Sequence, residues 1–307
     1  MKKTYSLVLL FAALLLATLT LQAQSKVRDS MIVSVDWLAQ HLNDDGLVLL
    51  QVGDKKEYDA GPHIKGAQYI QLSDISTPRG TGLILELPPV DQLKATFEKL
   101  GVTDKSRIII YFSKDWVTPT SRVYFTLDYL GLGDRTSILD GGLPAWIAEK
   151  RATTTEVTTA KPGSFTPHPN AKLVVDAAWV SSNINKPGIA ILDARDTKFY
   201  TGESAGNMPR AGHIPSARSI PFSTLVEEST NKFKNSDALR DLFNTAGVKS
   251  KDAIAAYCHI GQQASLLYFV AKYLGYDAHL YDGSFDDWSK RSDLPVEKSA
   301  SAPATKP

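Results

Sequence analysis

Sulfur is scarce in this chain: one cysteine, Cys258, and three methionines stand among 307 residues. A single thiol excludes an internal disulfide framework. The six histidines are scattered, with no close pair of the kind a zinc site uses, so neither a metal nor another cofactor is expected. Neither sign of charge dominates, the formal net charge being +1, which gives no footprint for nucleic acid or another polyanion. Long apolar runs are also missing. The only candidate, Leu7 to Leu16, falls short of the roughly 20 residues that cross a bilayer.

That run follows Lys2 and Lys3 and leads through Thr18 to Ala23 into a polar stretch, the pattern of a cleavable secretory signal over residues 1–23, cut near Ala23 or Gln24. No cysteine is close enough to that point for a lipid anchor. The expectation is a periplasmic or secreted protein with no stable membrane association after cleavage. Exported chains normally pair their cysteines, so an unpaired Cys258 is either an inert buried residue or a reactive one. Its surroundings decide.

The chain is written twice. At an offset of about 146, Gly101-Val102 and Ile108 to Phe112 match Gly247-Val248 and Ala253 to Cys258. Tyr129-Leu130-Gly131 matches Tyr273-Leu274-Gly275, and Asp140-Gly141-Gly142 with Trp146 matches Asp282-Gly283-Ser284 with Trp288. His63 to Ala67 matches His213 to Ala217, and each copy opens on a tryptophan-bearing helical segment, at Trp37 and Trp179. Two domains are expected, at residues 30–150 and 172–292. Residues 151–171, rich in Thr, Pro, Gly and Lys, read as a wrapping linker, and residues 293–307 as a disordered tail.

Within each copy, short apolar runs alternate with segments of helical period. Leu47 to Val52, Ile108 to Phe112, Ala190 to Ala194 and Ala253 to Tyr257 predict strands; Leu266 to Leu274 predicts an amphipathic helix ending on Gly275. The fold class is α/β, each domain a mainly parallel sheet flanked by helices, with function at the carboxyl ends of strands. Cys258-His259-Ile260-Gly261-Gln262-Gln263 then forms a tight loop from a strand into a helix N-terminus. Free backbone N–H groups and the helix dipole there are expected to lower the thiol pKa and hold a transferred anionic group.

The loop, the following Tyr-Leu-Gly and Tyr281 to Trp288, together with Leu192 to Arg195 and Gly212 to Ala217, resemble the catalytic domain and flanking signatures of the rhodanese family. The resemblance covers about residues 30–295. It implies a tandem sulfurtransferase whose second domain works through a Cys258 persulfide, and whose first domain, with Phe112 at the cysteine position and a longer segment from Ser113 to Thr120, is an inactive copy. Substrate contacts are implied at Asp193, Arg195, His259, Ile260, Gly261, Gln262 and Gln263. Arg195 suits a thiosulfate or carboxylate oxygen, or is salt-bridged across the loop; His259 contacts substrate, tunes the thiolate or points to solvent. A second arginine of classical tandem members is replaced by Phe199, and Arg210 could supply the missing charge. His63 and His213, present in both copies, read as structural.

The implied reaction moves a sulfane sulfur from a small-molecule donor, with thiosulfate favoured over 3-mercaptopyruvate, to cyanide, a thiol or a protein acceptor. A non-catalytic sulfur-carrier module is the alternative. The related cell-cycle phosphatases use a loop one residue longer that closes on an arginine, whereas this one ends in Gln263-Ala264.

Overall fold

The computed structural model describes residues 26–299 apart from 79, 81, 115 and 116. The expected signal at residues 1–23 lies outside the described residues. In the first repeat the elements are β1 (Ile32–Val33), α1 (Val35–His41), β2 (Leu47–Val52), α2 (Lys55–Ala60), β3 (Gln68–Ile70), α3 (Val90–Lys99), β4 (Arg107–Phe112), α4 (Val117–Tyr129), β5 (Thr136–Leu139) and α5 (Gly142–Ala148). The second repeats them as β6 (Val174–Val175), α6 (Ala177–Ser182), β7 (Ile189–Asp193), α7 (Thr197–Tyr200), β8 (Arg218–Ser219), α8 (Ser236–Thr245), β9 (Ala253–Tyr257), α9 (Gln262–Tyr273), β10 (Asp277–Tyr281) and α10 (Ser284–Lys290).

Two five-stranded parallel sheets result, ordered β1-β5-β4-β2-β3 and β6-β10-β9-β7-β8. Their central strands are almost continuously apolar because both faces are covered, as parallel sheets require. Register carries the repeat down to single residues: Tyr111 lies beside Gln51 in β4, and its counterpart Tyr257 beside Asp193 in β9. The tryptophan helices also start alike. Ser34 Oγ accepts from the Trp37 N–H at 3.1 Å, and Asp176 Oδ1 from the Trp179 N–H at 2.8 Å, each satisfying an orphan donor of the first turn.

One expectation changes at the domain boundary. Residues 264–271 of α9 are all buried, so this helix is not amphipathic in place. Its outer side packs on α4, where Tyr124 meets Phe269 edge-on at 4.7 Å and Phe125 meets Tyr268 at 5.0 Å. Polar residues are buried with them. Asp128 of α4 accepts from the Tyr268 hydroxyl at 2.5 Å and pairs with Lys272. One hydrophobic core therefore runs through both domains.

Residues 151–171 lie along the first domain, with Thr154 bridged antiparallel to His63 and Phe165 buried. The tail repeats the manoeuvre, which corrects the expectation of disorder for its first part. Glu297 exchanges backbone hydrogen bonds with His213, at 2.8 and 2.9 Å, and Trp288 Nε1 donates to Pro295 O at 2.8 Å, as Trp146 Nε1 does to Ala152 O in the first copy. Its polar, proline-bearing composition concealed these backbone pairings.

Candidate active site

β9 delivers Cys258 to the mouth of its sheet, and three residues later Gly261 turns the chain into α9. That turn needs the left-handed conformation Gly261 adopts, φ +85°. The backbone N–H groups of Ile260, Gly261, Gln263 and Ala264 converge on the thiol. From the other side, Ser284 Oγ accepts the Cys258 N–H at 3.1 Å, while Cys258 O and His259 O accept the N–H groups of Phe285 and Asp286, both at 2.9 Å. The loop is thus clipped to the start of α10. Ser284 itself sits at φ +51°, where its first-copy counterpart is Gly142.

Burial dominates the thiol. Cys258 has no exposed surface, and desolvation pushes its pKa above the ordinary thiol range although the four N–H donors pull it down. The expected lowering is therefore overturned for the unliganded thiol. The donors remain available to an anionic group carried on the sulfur, which is where a helix N-terminus acts without meeting the cost of burying the thiolate alone.

Asp193 and Arg195 pair with each other. Arg195 Nε lies 3.0 and 3.1 Å from the two Asp193 oxygens and Nη2 2.6 Å from Oδ2, with Nη2 also donating to Gly212 O at 2.7 Å. The guanidinium stacks 4.0 Å from the Phe285 ring centroid. Burial works against its charge, but the adjacent carboxylate outweighs this and raises its pKa. Of the two readings of Arg195, the salt bridge is the one the structure adopts, and Asp193 has no oxygen left for a ligand.

Arg210 is not in the site at all. Its guanidinium donates to the carbonyls of Trp288, Ser289, Arg291 and Leu294 at 2.7–2.9 Å and so caps the end of α10. Four convergent carbonyls bind an arginine fork more tightly than a distant anion would, a demand that sequence spacing does not reveal.

His259 is inside the mouth, edge-on to Phe199 with ring centroids 4.6 Å apart. Burial, helped by the Arg195 charge, lowers its pKa, so the ring is neutral near pH 7. The residue is half-buried, and its Nδ1 is buried without a partner, as is Gln263 Oε1. Gln262 Nε2 donates to Thr118 Oγ1 of α4 at 3.2 Å. His213 and His63 are structural, stacked on Tyr200 and Tyr58 and bonded to the carbonyls of Tyr200 and Glu156.

The first copy has no thiol at this point. Phe112 fills the cysteine position, its ring 2.7 Å from where a Cβ on Gly142 would stand, so the counterpart of Ser284 has to be glycine. Eight residues separate Phe112 from Ser121, whereas six separate Cys258 from the matching Ser265. Sequence reasoning missed Ser284, Asp282 and the first-domain residues Thr118 and Arg122. The Asp-Gly-Ser repeat pointed towards the first two, but nothing local pointed to the others.

Comparison with known proteins agrees with this anatomy. The Rhodanese-like domain family matches twice, at residues 34–149 and 176–291. The sulfur carrier protein TtuD of Thermus thermophilus is 31% identical over 286 residues, covering 87% of this chain and 96% of that protein. The 3-mercaptopyruvate sulfurtransferase of Escherichia coli is 29% identical, covering 86% and 97%. In fold, the chain superposes on the anaerobic ergothioneine biosynthesis enzyme of Chlorobium limicola with TM-score 0.76 at 19% identity, over 88% of this chain and 70% of that one. With two parallel-sheet domains, each matched by the family, and sulfurtransferases as its relatives, the chain belongs to the rhodanese family as a tandem-domain member.

Proposed function

We propose that this protein transfers a sulfane sulfur from thiosulfate to a nucleophilic acceptor through a persulfide on Cys258. The convergence of four backbone N–H groups on the Cys258 sulfur carries this reading. The thiolate attacks the outer sulfur of the donor. The S–S bond of thiosulfate breaks and sulfite departs with the bonding pair, its charge drawn by the same donors. Cyanide or a thiolate then attacks the outer sulfur of the persulfide, and the Cys258 thiolate leaves. The cycle is a double displacement with ping-pong kinetics.

Donor preference follows from which charges are free. Arg195 is paired, Arg210 is a helix cap, His259 is neutral and Phe199 is uncharged. A compact oxyanion attached directly to the transferred sulfur uses the backbone cradle itself, whereas a carboxylate several bonds away needs a cation further out. This favours thiosulfate over 3-mercaptopyruvate. In an exported, oxidising location a resting persulfide would also shield the thiol from over-oxidation.

The carrier reading draws on the likeness to TtuD, named as a sulfur carrier. Turnover separates the two. Catalysis predicts thiocyanate release from thiosulfate and cyanide at many equivalents per protein, abolished in Cys258→Ser, with 3-mercaptopyruvate the poorer donor. Loading of one sulfur without turnover with either donor would replace it with the carrier reading.

A further inference from the structure

The first domain has no thiol, yet it presents a buried cation to the loop that has one. Arg122, on α4, has no exposed surface. Its Nη1 pairs with Asp282 Oδ1 of the second domain at 2.5 Å, Nη2 donates to Leu85 O, and the guanidinium lies 5.2 Å from the Phe125 ring centroid. Asp282, just past β10, takes a second bond from the first domain, since its Oδ2 accepts the Leu87 N–H at 3.3 Å. This ion pair forms the wall behind Gly261. A Cβ placed on Gly261 would stand 3.0 Å from both Asp282 O and Oδ1 and 3.2 Å from Arg122 Nη1. The Gly261 N–H is one of the four aimed at the Cys258 sulfur.

The two halves of the molecule differ at this point. Asp140, the first-copy counterpart of Asp282, likewise accepts a backbone N–H from the opposite domain, from Phe233 at 2.9 Å. No arginine faces it from the matching place, because the α9 residue equivalent to Arg122 is Leu266, one after the shared serine (Ser121, Ser265). Asp140 has the Lys232 side chain near it instead, so what differs is the buried guanidinium, which stands on the side of the cysteine loop. A buried guanidinium held by a single carboxylate is costly unless paired, so each fixes the other firmly.

We propose that Arg122 is a positioning residue for sulfur transfer: by holding Asp282 against Gly261, the first domain keeps the N–H donors of the loop on the Cys258 sulfur. The inference builds on the proposed reaction, but the geometry it concerns can be read on the thiol without any turnover. Losing Arg122 strands the Asp282 carboxylate, which draws water into the wall and releases the turn at Gly261. One lost donor leaves burial less opposed, so the thiol pKa moves further up.

The experiment measures iodoacetamide alkylation of Cys258 against pH, together with the rate of loading by thiosulfate, on the full mature chain and on Arg122→Met, Arg122→Lys and Lys272→Met. The last variant breaks another ion pair between α4 and the second domain, that of Lys272 with Asp128, at the far end of α9. For Arg122→Met the alkylation midpoint is expected to rise and loading to slow about tenfold or more. Arg122→Lys keeps the charge without the fork and is expected to fall between this and wild type. Lys272→Met should lose stability while both readouts stay at wild type. Should Arg122→Met not fold, Arg122→Lys carries the test alone. An alkylation profile and loading rate that match wild type, or shift no more than in Lys272→Met, would overturn the proposal. A shifted alkylation profile in a protein that no donor loads would uphold the role of Arg122 and remove the reaction instead.

Discussion

Placing one methyl group on Gly261 tests whether the cradle is as tightly built as its geometry indicates. Gly261 holds φ +85°, which costs a residue with a Cβ about 1–2 kcal/mol. Gly247 holds φ +77° with nothing within 4 Å of its would-be Cβ, so Gly247→Ala isolates that backbone cost. At Gly261 the Cβ meets a backbone carbonyl and a buried ion pair at 3.0–3.2 Å, groups that cannot swing aside as a flexible side chain would. Overpacking of this kind adds about 1–3 kcal/mol. Urea unfolding should therefore show Gly261→Ala to be less stable than Gly247→Ala by that second increment. The relief available is a shift of the 260–262 backbone, which takes N–H donors off the sulfur, and loss of one such donor slows chemistry about a hundredfold or more. Stopped-flow loading with thiosulfate should show this for Gly261→Ala and a wild-type rate for Gly247→Ala. If Gly261→Ala loads at the wild-type rate and unfolds with Gly247→Ala, the wall behind the loop is not rigid and the reasoning fails.

Three further outcomes follow from the charges at the mouth. In Phe199→Arg, a charge-assisted hydrogen bond of about 1.5–3 kcal/mol should raise kcat/KM for 3-mercaptopyruvate relative to thiosulfate by roughly ten- to a hundredfold; an unchanged ratio of the two would show that mouth charge does not select the donor. Arg210→Met strips four carbonyls of their donor and should cost roughly 2–4 kcal/mol of stability while KM for thiosulfate stays within about twofold, and a raised KM would put this arginine back in the site. Burial raises the folded thiol pKa above its unfolded value, so the contribution of Cys258 to stability is complete below the ordinary thiol range and declines as pH climbs through the raised pKa. Buried tyrosines such as Tyr257 and Tyr268 are raised as well, so Cys258→Ser should lessen but not abolish the decline in chemical denaturation run from neutral to alkaline pH; an identical decline in the variant would assign it elsewhere.

Much of this architecture could be read along the chain, and the reason is repetition. Ile108 to Phe112 and Ala253 to Tyr257 are central strands buried on both faces, so each is a bare apolar run that the internal match then confirms as a strand. The position of Cys258 between such a run and a helix placed it at a strand end for the same reason. Side-chain roles were less legible because they depend on what is brought in from elsewhere. Arg195 and Arg210 both belong to the stretch between β7 and the His213 signature, but Asp193 occupies one and the end of α10 the other. Burial of α9 against α4 reversed the amphipathic reading, since a helix at a domain interface meets apolar and polar partners that its own periodicity does not record. Arg122 was invisible on the same ground: its partner Asp282 is 160 residues away.

The central claim rests on one sulfur atom arriving at one residue. Mass spectrometry of the protein after treatment with thiosulfate, with peptide mapping, measures this directly. The account predicts a single added sulfur, confined to the peptide bearing Cys258 and removed by cyanide with release of thiocyanate. No added sulfur with thiosulfate, 3-mercaptopyruvate or any other sulfane donor would contradict it.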